Sequence, residues 1–202
     1  MSALFHLNLR GREAAEWVVF MKKYPTEVPE VLTLAKDLDF ITKYSTVAMS
    51  YPLHRHDFCE ILYIVNGDVI YSVGERDYYV TPGSLLVLAP NVLHKATFGK
   101  RSTAFDRYAF HISTDYIRRI SSPNTNMFLC FDTANPTYCS IFRLSIEKRK
   151  EIHDLFQRIH TINNRSKACY GTDALVHSLM TQLLVEINLI ALDYSHSHEE
   201  KG

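Results

Sequence analysis

The sequence predicts a mainly β fold with α added: an antiparallel sandwich or barrel, then a C-terminal helical segment. Between residues 31 and 113, short runs rich in β-branched and aromatic residues recur, broken by glycine and proline turns. From Ser145 onward the apolar period lengthens from two residues to three or four, which is the helical signature. Of 202 residues, 47% are hydrophobic, with only 7 Gly and 7 Pro, enough for a core and little for disordered linkers.

The elements follow in order. Arg12 to Tyr24 carries Ala14, Ala15, Trp17, Val18 and Met21 at helical spacing and stops at Pro25. It reads as a short amphipathic arm. Strands are expected over Phe58 to Val65, Val69 to Val73, Tyr78 to Val80, Leu85 to Leu88 and Tyr108 to Ile112. Asn66-Gly67-Asp68 turns the chain between the first two, with Gly67 supplying a positive φ. Asp115 to Ile120 could form a helical turn, and Tyr138 to Leu144 alternates like one more strand. Ser145 is the expected N-cap of a helix carrying Ile152, Leu155, Phe156, Ile159 and Ile162. Thr172 should cap a second helix, running from Asp173 to Asp193. The expected organisation is an arm over 1–30, a barrel over 31–144 and a helical pairing segment over 145–197.

That last helix is apolar nearly all round, with Glu186 its one charged side chain between Ala174 and Leu192 and His177 its one other ionisable group. Such a helix must be buried on several sides. The preceding helix can cover one; the barrel or a second copy of the chain must cover another. A membrane span is the rival, but Gln182, Glu186 and Asn188 would be costly in lipid, so pairing into a homodimer is preferred.

Lys plus Arg and Asp plus Glu balance at 22 each, which argues against a whole-domain basic footprint for nucleic acid. None of Cys59, Cys130, Cys139 and Cys169 sits in a C-x-x-C pair, so a thiolate zinc site or redox motif is not expected. The N-terminus does not read as a signal peptide, and no stretch of about 20 uninterrupted apolar residues exists. A cytoplasmic protein with reduced thiols is the expectation.

The chemistry concentrates in His54-Arg55-His56-Asp57-Phe58-Cys59-Glu60. On a strand, residues two and four apart share a face, which would group His54, His56 and Glu60, with Phe58, Leu62 and Ile64 as core beside them. Two imidazoles and a carboxylate suit a borderline divalent metal such as zinc, nickel, manganese or iron. His94, after the turn Ala89-Pro90-Asn91, is the candidate fourth ligand. The same four groups could instead hydrogen-bond an effector, water or one another. Arg107 could pair with an acidic effector or face solvent.

The pattern H-x-H-x3-E-x6-G, met by His54, His56, Glu60 and Gly67, resembles the first cupin motif. The second motif is met in part: Gly83 and His94 fit, Ala89 replaces a proline, Asn91 a glycine and Phe98 an asparagine. More narrowly, His54 to Tyr63, Tyr79 to Leu88 and Pro90 to His94 resemble the ligand-binding domain of AraC-type transcription regulators. The resemblance implies a cupin barrel (a double-stranded β-helix, or jelly-roll) followed by an antiparallel helical hairpin through which two copies pair. It also implies a pocket for a small effector, commonly a sugar. His54, His56, Glu60, His94, Tyr108 and Phe110 are the expected effector-binding residues, the first four doubling as metal ligands. No catalytic residue is assigned. DNA would be gripped by two helix-turn-helix units of on the order of 100 residues, which are not expected in a chain ending at Gly202. The competing expectation is a metal-dependent cupin enzyme of oxygenase or isomerase type.

Overall fold

The computed structural model describes residues 30–32, 34, 37–46, 52–98, 104–135, 138–163 and 169–199. The expected arm helix at Arg12 to Tyr24 lies outside them. The strands are β1 (Glu30–Leu32), β2 (Leu38–Thr46), β3 (His54–His56), β4 (Cys59–Asn66), β5 (Val69–Val73), β6 (Arg76–Val80), β7 (Ser84–Leu88), β8 (His94–Phe98), β9 (Ala104–Ile112) and β10 (Ile141–Arg143). Among the described residues three α-helices accompany them: α1 (Thr114–Ile120), α2 (Ile146–Asn163) and α3 (Thr172–Glu199).

Two five-stranded sheets face each other. One runs β1-β3-β8-β5-β6 and the other β10-β7-β4-β9-β2. Pairing is antiparallel except for the short β1–β3 pair. This is the cupin-like β-sandwich with a C-terminal helix pair that the sequence predicts. The long strand β2 was not expected. Asp39 and Lys43 interrupt its apolar character, and nine residues of pairing with β9 hold it at the sheet edge.

Between the two sheets lies one core, which includes Leu62, Ile64, Tyr71, Leu86, Leu88 and Phe105. A second core fills the space between the outer face of the β4-β7-β9 wall and the helices, with Tyr63, Val87, Phe110, Phe156, Ile159 and Leu183 among its members. Every residue of β7 is buried because both of its faces are covered. The turn after β4 is fixed by Gly67, at φ 97°, where a Cβ would lie 2.0 Å from the Ala104 carbonyl oxygen. A side chain at that position is excluded by both the backbone conformation and the close approach of β9.

Ser145 caps α2 as expected, its Oγ accepting from the Lys148 amide at 3.2 Å. Lys148 near the start of α2 pairs with Glu186 far along α3 at 2.8 Å, so the two helices run antiparallel. Thr172–Ser195 in α3 is long and apolar enough to cross a membrane by length and composition alone. It packs on the rest of the chain along one side, with 33% of that span buried. Leu179, Met180, Leu183, Leu184 and Ile187 are buried on one side. Asn188, 8% exposed, accepts from the Cys130 amide at 2.8 Å and donates to the Met127 carbonyl at 3.1 Å. Those two bonds fasten α3 to the 3-10 turn Leu129–Phe131 beside the sheet. Replacing Asn188 by Ala strands a buried donor and a buried acceptor. The expected loss is about 2–3 kcal/mol, read as a lower urea midpoint at unchanged slope.

Candidate functional site

The site forms where the chain crosses from one sheet to the other. His54 and His56 stand on β3 in the first sheet, Glu60 on β4 in the second, with Asp57 and Phe58 making the crossing. Glu60 therefore approaches His56 from the opposite wall, rather than lying beside it on one strand. His94, at the start of β8, is the direct cross-strand partner of His54. The turn before it depends on Asn91, at φ 65°, whose amide donates to the His56 carbonyl at 2.7 Å. Asparagine tolerates the left-handed conformation, which is why it can stand where the motif usually has glycine.

Each histidine is oriented by a backbone carbonyl. His56 Nδ1 lies 2.6 Å from the Phe58 carbonyl, His94 Nδ1 2.9 Å from that of Val92 and His54 Nδ1 2.8 Å from that of Pro52. A carbonyl can only accept, so Nδ1 carries the proton and the neutral ring presents a bare Nε2 lone pair. For His56 and His94 those lone pairs meet the same atom: Glu60 Oε2 is 3.4 Å from His56 Nε2 and 3.5 Å from His94 Nε2. All three atoms are buried without a hydrogen-bond partner. The ligand-capable atoms of His56, Glu60 and His94 lie within 4.8 Å of one another. With the imidazoles neutral, three acceptors converge, an arrangement that a cation between them, a proton or a metal, would relieve. The set has two imidazoles and one carboxylate, a combination that leaves metal coordination positions open. Backbone carbonyls bonded to the far ring nitrogens are the usual outer support of metal-binding histidines. These residues fit a divalent transition metal.

His54 is not part of that triad. Its ring packs edge-on to His94, 4.3 Å between centroids, and lines an adjoining cavity of about 30 Å³ together with Glu60, Tyr71, Phe105 and Arg107. The space is large enough for a water molecule. Tyr108 and Phe110 are on the other side of β9. Alternation points Phe105, Arg107, Ala109 and His111 to the barrel interior, and Tyr108, Phe110 and Ile112 to the helices. Tyr108 and Phe110 pack on Phe156 of α2, with centroids 5.7 and 5.0 Å away. The structure thus separates them from the histidine–glutamate cluster and corrects the expectation that they share its pocket.

The same alternation brings in His111, which the sequence reading overlooked. It is the cross-strand neighbour of both Glu60 and Asp39, and its Nε2 donates to Glu60 Oε1 at 3.0 Å. One carboxylate oxygen is thereby fixed, leaving Oε2 for the triad. The available signal was parity: on β9 Arg107 and His111 share one face with Phe105, and Tyr108 and Phe110 occupy the other. Phe58 supports the cluster from below, stacked on His56 at 4.1 Å and tilted against His111 at 4.7 Å. Arg107 is 5% exposed, which removes the solvent-facing reading.

Burial by itself would raise the Glu60 pKa, but the bond from His111 and the neighbouring His56 and His94 hold it well below the usual carboxylate range. Burial pushes His94 down to about 4, against the opposing pull of Glu60. Between pH 4 and the ordinary 6.5 of an unfolded histidine, the unfolded chain binds the proton that folded His94 refuses. Stability therefore falls as pH drops through that window, and Glu60, with its depressed pKa, adds a further loss below about 4.5. For protein treated with chelator, the urea midpoint is expected to hold above pH 7 and decline steadily from 6.5 to 4. His94→Gln should flatten that decline. A midpoint that rises on acidification would contradict the assignment.

The model of the AraC-like ligand binding domain family matches residues 44–184. No curated protein matches the chain. Among solved structures, a cupin protein from Bacteroides fragilis is 15% identical over 39% of this chain and 68% of its own, with a TM-score of 0.36. ToxT from Vibrio cholerae is 11% identical over 75% of this chain and 56% of its own, with a TM-score of 0.45. The DMSP lyase DddQ from Ruegeria pomeroyi is 19% identical over 39% of both chains, with a TM-score of 0.35. With the family model spanning most of the barrel, all of α2 and the first part of α3, the chain belongs to the AraC-like ligand binding domain family, the sensing part of a regulator.

Proposed function

We propose that this chain senses a small molecule at a metal ion held by His56, Glu60 and His94, and that it works as a pair joined through α3. The observation behind the first part is the convergence of three buried, partnerless acceptor atoms. Zinc, nickel, manganese and iron are the candidates for two imidazoles and a carboxylate. When bound, such an ion supplies a Lewis-acidic centre with open positions for an oxygen ligand. The chain's own residues do the rest: His111 orients Glu60, the backbone carbonyls orient the imidazoles, and the barrel core excludes water. A sugar is the effector class that the family resemblance implies. The setting is the cytoplasm. DNA contact falls to a separate helix-turn-helix domain, as the regulator resemblance implies.

The second part rests on the free side of α3. Leu175, Leu189 and Leu192 are among its exposed apolar residues, and they stand away from the buried Leu179, Leu183 and Ile187. Spacings of seven and three residues put Gln182, Leu189 and Leu192 with Leu175 along one stripe. A second copy of the same helix would cover it and is the partner we assign.

The rival reading is a metal-dependent enzyme, favoured by the same open two-histidine, one-carboxylate set. Titration with zinc separates these readings from a purely polar cluster. The chelator-treated protein should take up one ion per chain in calorimetry, and Glu60→Gln should weaken binding at least about tenfold. No uptake would sink the metal assignment. An enzyme would consume a compound catalytically once loaded, whereas a sensor would bind its compound and return it unchanged. For pairing, Leu189→Lys should shift sedimentation from dimer to monomer with the circular dichroism spectrum intact. A wild-type monomer would refute the pairing.

A further inference from the structure

A space large enough for a small molecule lies outside the barrel. It is a cleft of about 530 Å³ between the start of β2, the end of α2 and the first turns of α3. Pockets for small molecules commonly measure about 300–1,000 Å³. The cavity beside the triad, at about 30 Å³, has room for little more than water. The floor of the cleft is apolar. Phe110, Ile159 and Met180 are buried there, and Phe40 and Val176 are half-buried against the same core. Phe40 packs on Phe110 with 4.4 Å between ring centroids. Along α3, Val176 and Met180 keep step with the buried Leu183 and Ile187, so they stand on the side opposite the Leu175, Leu189 and Leu192 stripe. Pairing through that stripe leaves the cleft open.

The rim is acidic. Asp37, Asp39 and Asp173 all border the cleft. Asp37 is answered by Arg119 and by the Ser113 hydroxyl. Asp39 is exposed and stands 4.0 Å from His111 Nδ1, beyond hydrogen-bond reach. Asp173 is exposed in the first turn of α3, where the helix end offsets part of its charge. Among the described residues bordering the cleft, His177 is the one group able to carry a positive charge, and its Nδ1 is already hydrogen-bonded to the Tyr116 hydroxyl at 2.9 Å. An acid would meet repulsion at this rim, and a polyhydroxylated ring would lose hydration over the apolar floor without regaining hydrogen bonds. A molecule cationic at one end and apolar at the other matches both parts. We propose that the cleft is a second binding site, for an organic amine whose ammonium sits at the acidic rim and whose aromatic or aliphatic body lies on Phe40, Val176 and Met180. The site is separate from the histidine–glutamate triad and needs no metal.

The test uses the whole chain after chelator treatment, so that no amine can bind through a metal. The probes are phenethylamine, 2-phenylethanol and phenylacetate, which share one apolar body and differ in charge. In calorimetry phenethylamine should bind saturably, 2-phenylethanol severalfold more weakly and phenylacetate weakest of the three. Asp173→Asn should weaken phenethylamine about two- to fivefold, the scale of one solvent-exposed charge pair, and leave 2-phenylethanol unchanged. Val176→Trp fills the cleft and should abolish binding of both with the circular dichroism spectrum intact. Should Val176→Trp fail to fold, the pair Asp39→Asn and Asp173→Asn carries the test: in that double variant phenethylamine should bind no better than 2-phenylethanol. Phenylacetate binding as well as phenethylamine overturns the proposal. So does undiminished phenethylamine binding in folded Val176→Trp or in the double variant, or no saturable binding of phenethylamine up to about 10 mM.

Discussion

Glu60 is a carboxylate buried in the middle of a protein and held ionised there, and much of the architecture serves that arrangement. Burial alone would protonate it. The counterweight comes from three strands in two sheets: His111 on β9, His56 on β3 and His94 on β8. Each partner has its own restraint, by a backbone carbonyl for His56 and His94 and by ring packing on Phe58 for His111. The site is therefore tied to the closure of the sandwich. Separating the two sheets would leave a buried charge without its partners, an outcome that costs more than the pair contributes when intact.

Beyond this cluster the protein divides along β4, β7 and β9. Their inward side chains make the barrel interior and the site; their outward ones carry the helices. Tyr63, Tyr108 and Phe110 all pack on Phe156 of α2, while Glu60, Arg107 and His111 face the opposite way from the same two strands. One layer of backbone separates ligand chemistry from the helices. Period-two alternation makes this economical, since neighbouring residues on one strand can hold two unrelated environments.

The sequence made the barrel and the helix pair legible because their signals are periodic and strong. The spacing of His54, His56, Glu60 and Gly67 located the site, and His94 was found through its turn. What it could not show was which of two parities on β9 faces inward. Aromatic residues on a sugar-binding hypothesis drew attention to Tyr108 and Phe110, whereas the polar parity carried Arg107 and His111. Strand β2 was illegible for a related reason: an edge strand over the sheet has little apolar pattern of its own and is stabilised by pairing with β9. Nor did spacing reveal that the chain changes sheets between His56 and Glu60, which sets His54 apart from the triad it adjoins in sequence.

The position of the site also constrains how sensing could work. A ligand shifts an equilibrium only by as much as its affinity differs between two states. Contacts confined to the rim of the barrel would bear on loops alone. Contacts to Glu60, Arg107 and His111 bear on β4 and β9, whose far faces hold α2 through Phe156 and, through the same core, α3. Asn188 ties α3 back to the turn beside β7. A ligand that draws on the inner side chains of β9 therefore acts on strands that the helices already grip. Its differential affinity would be set by how far those two strands must adjust to close around it. In this fold the same wall bounds the histidine–glutamate cluster on one side and bears α2 and α3 on the other, so a shift at the cluster needs no long path to reach the helices.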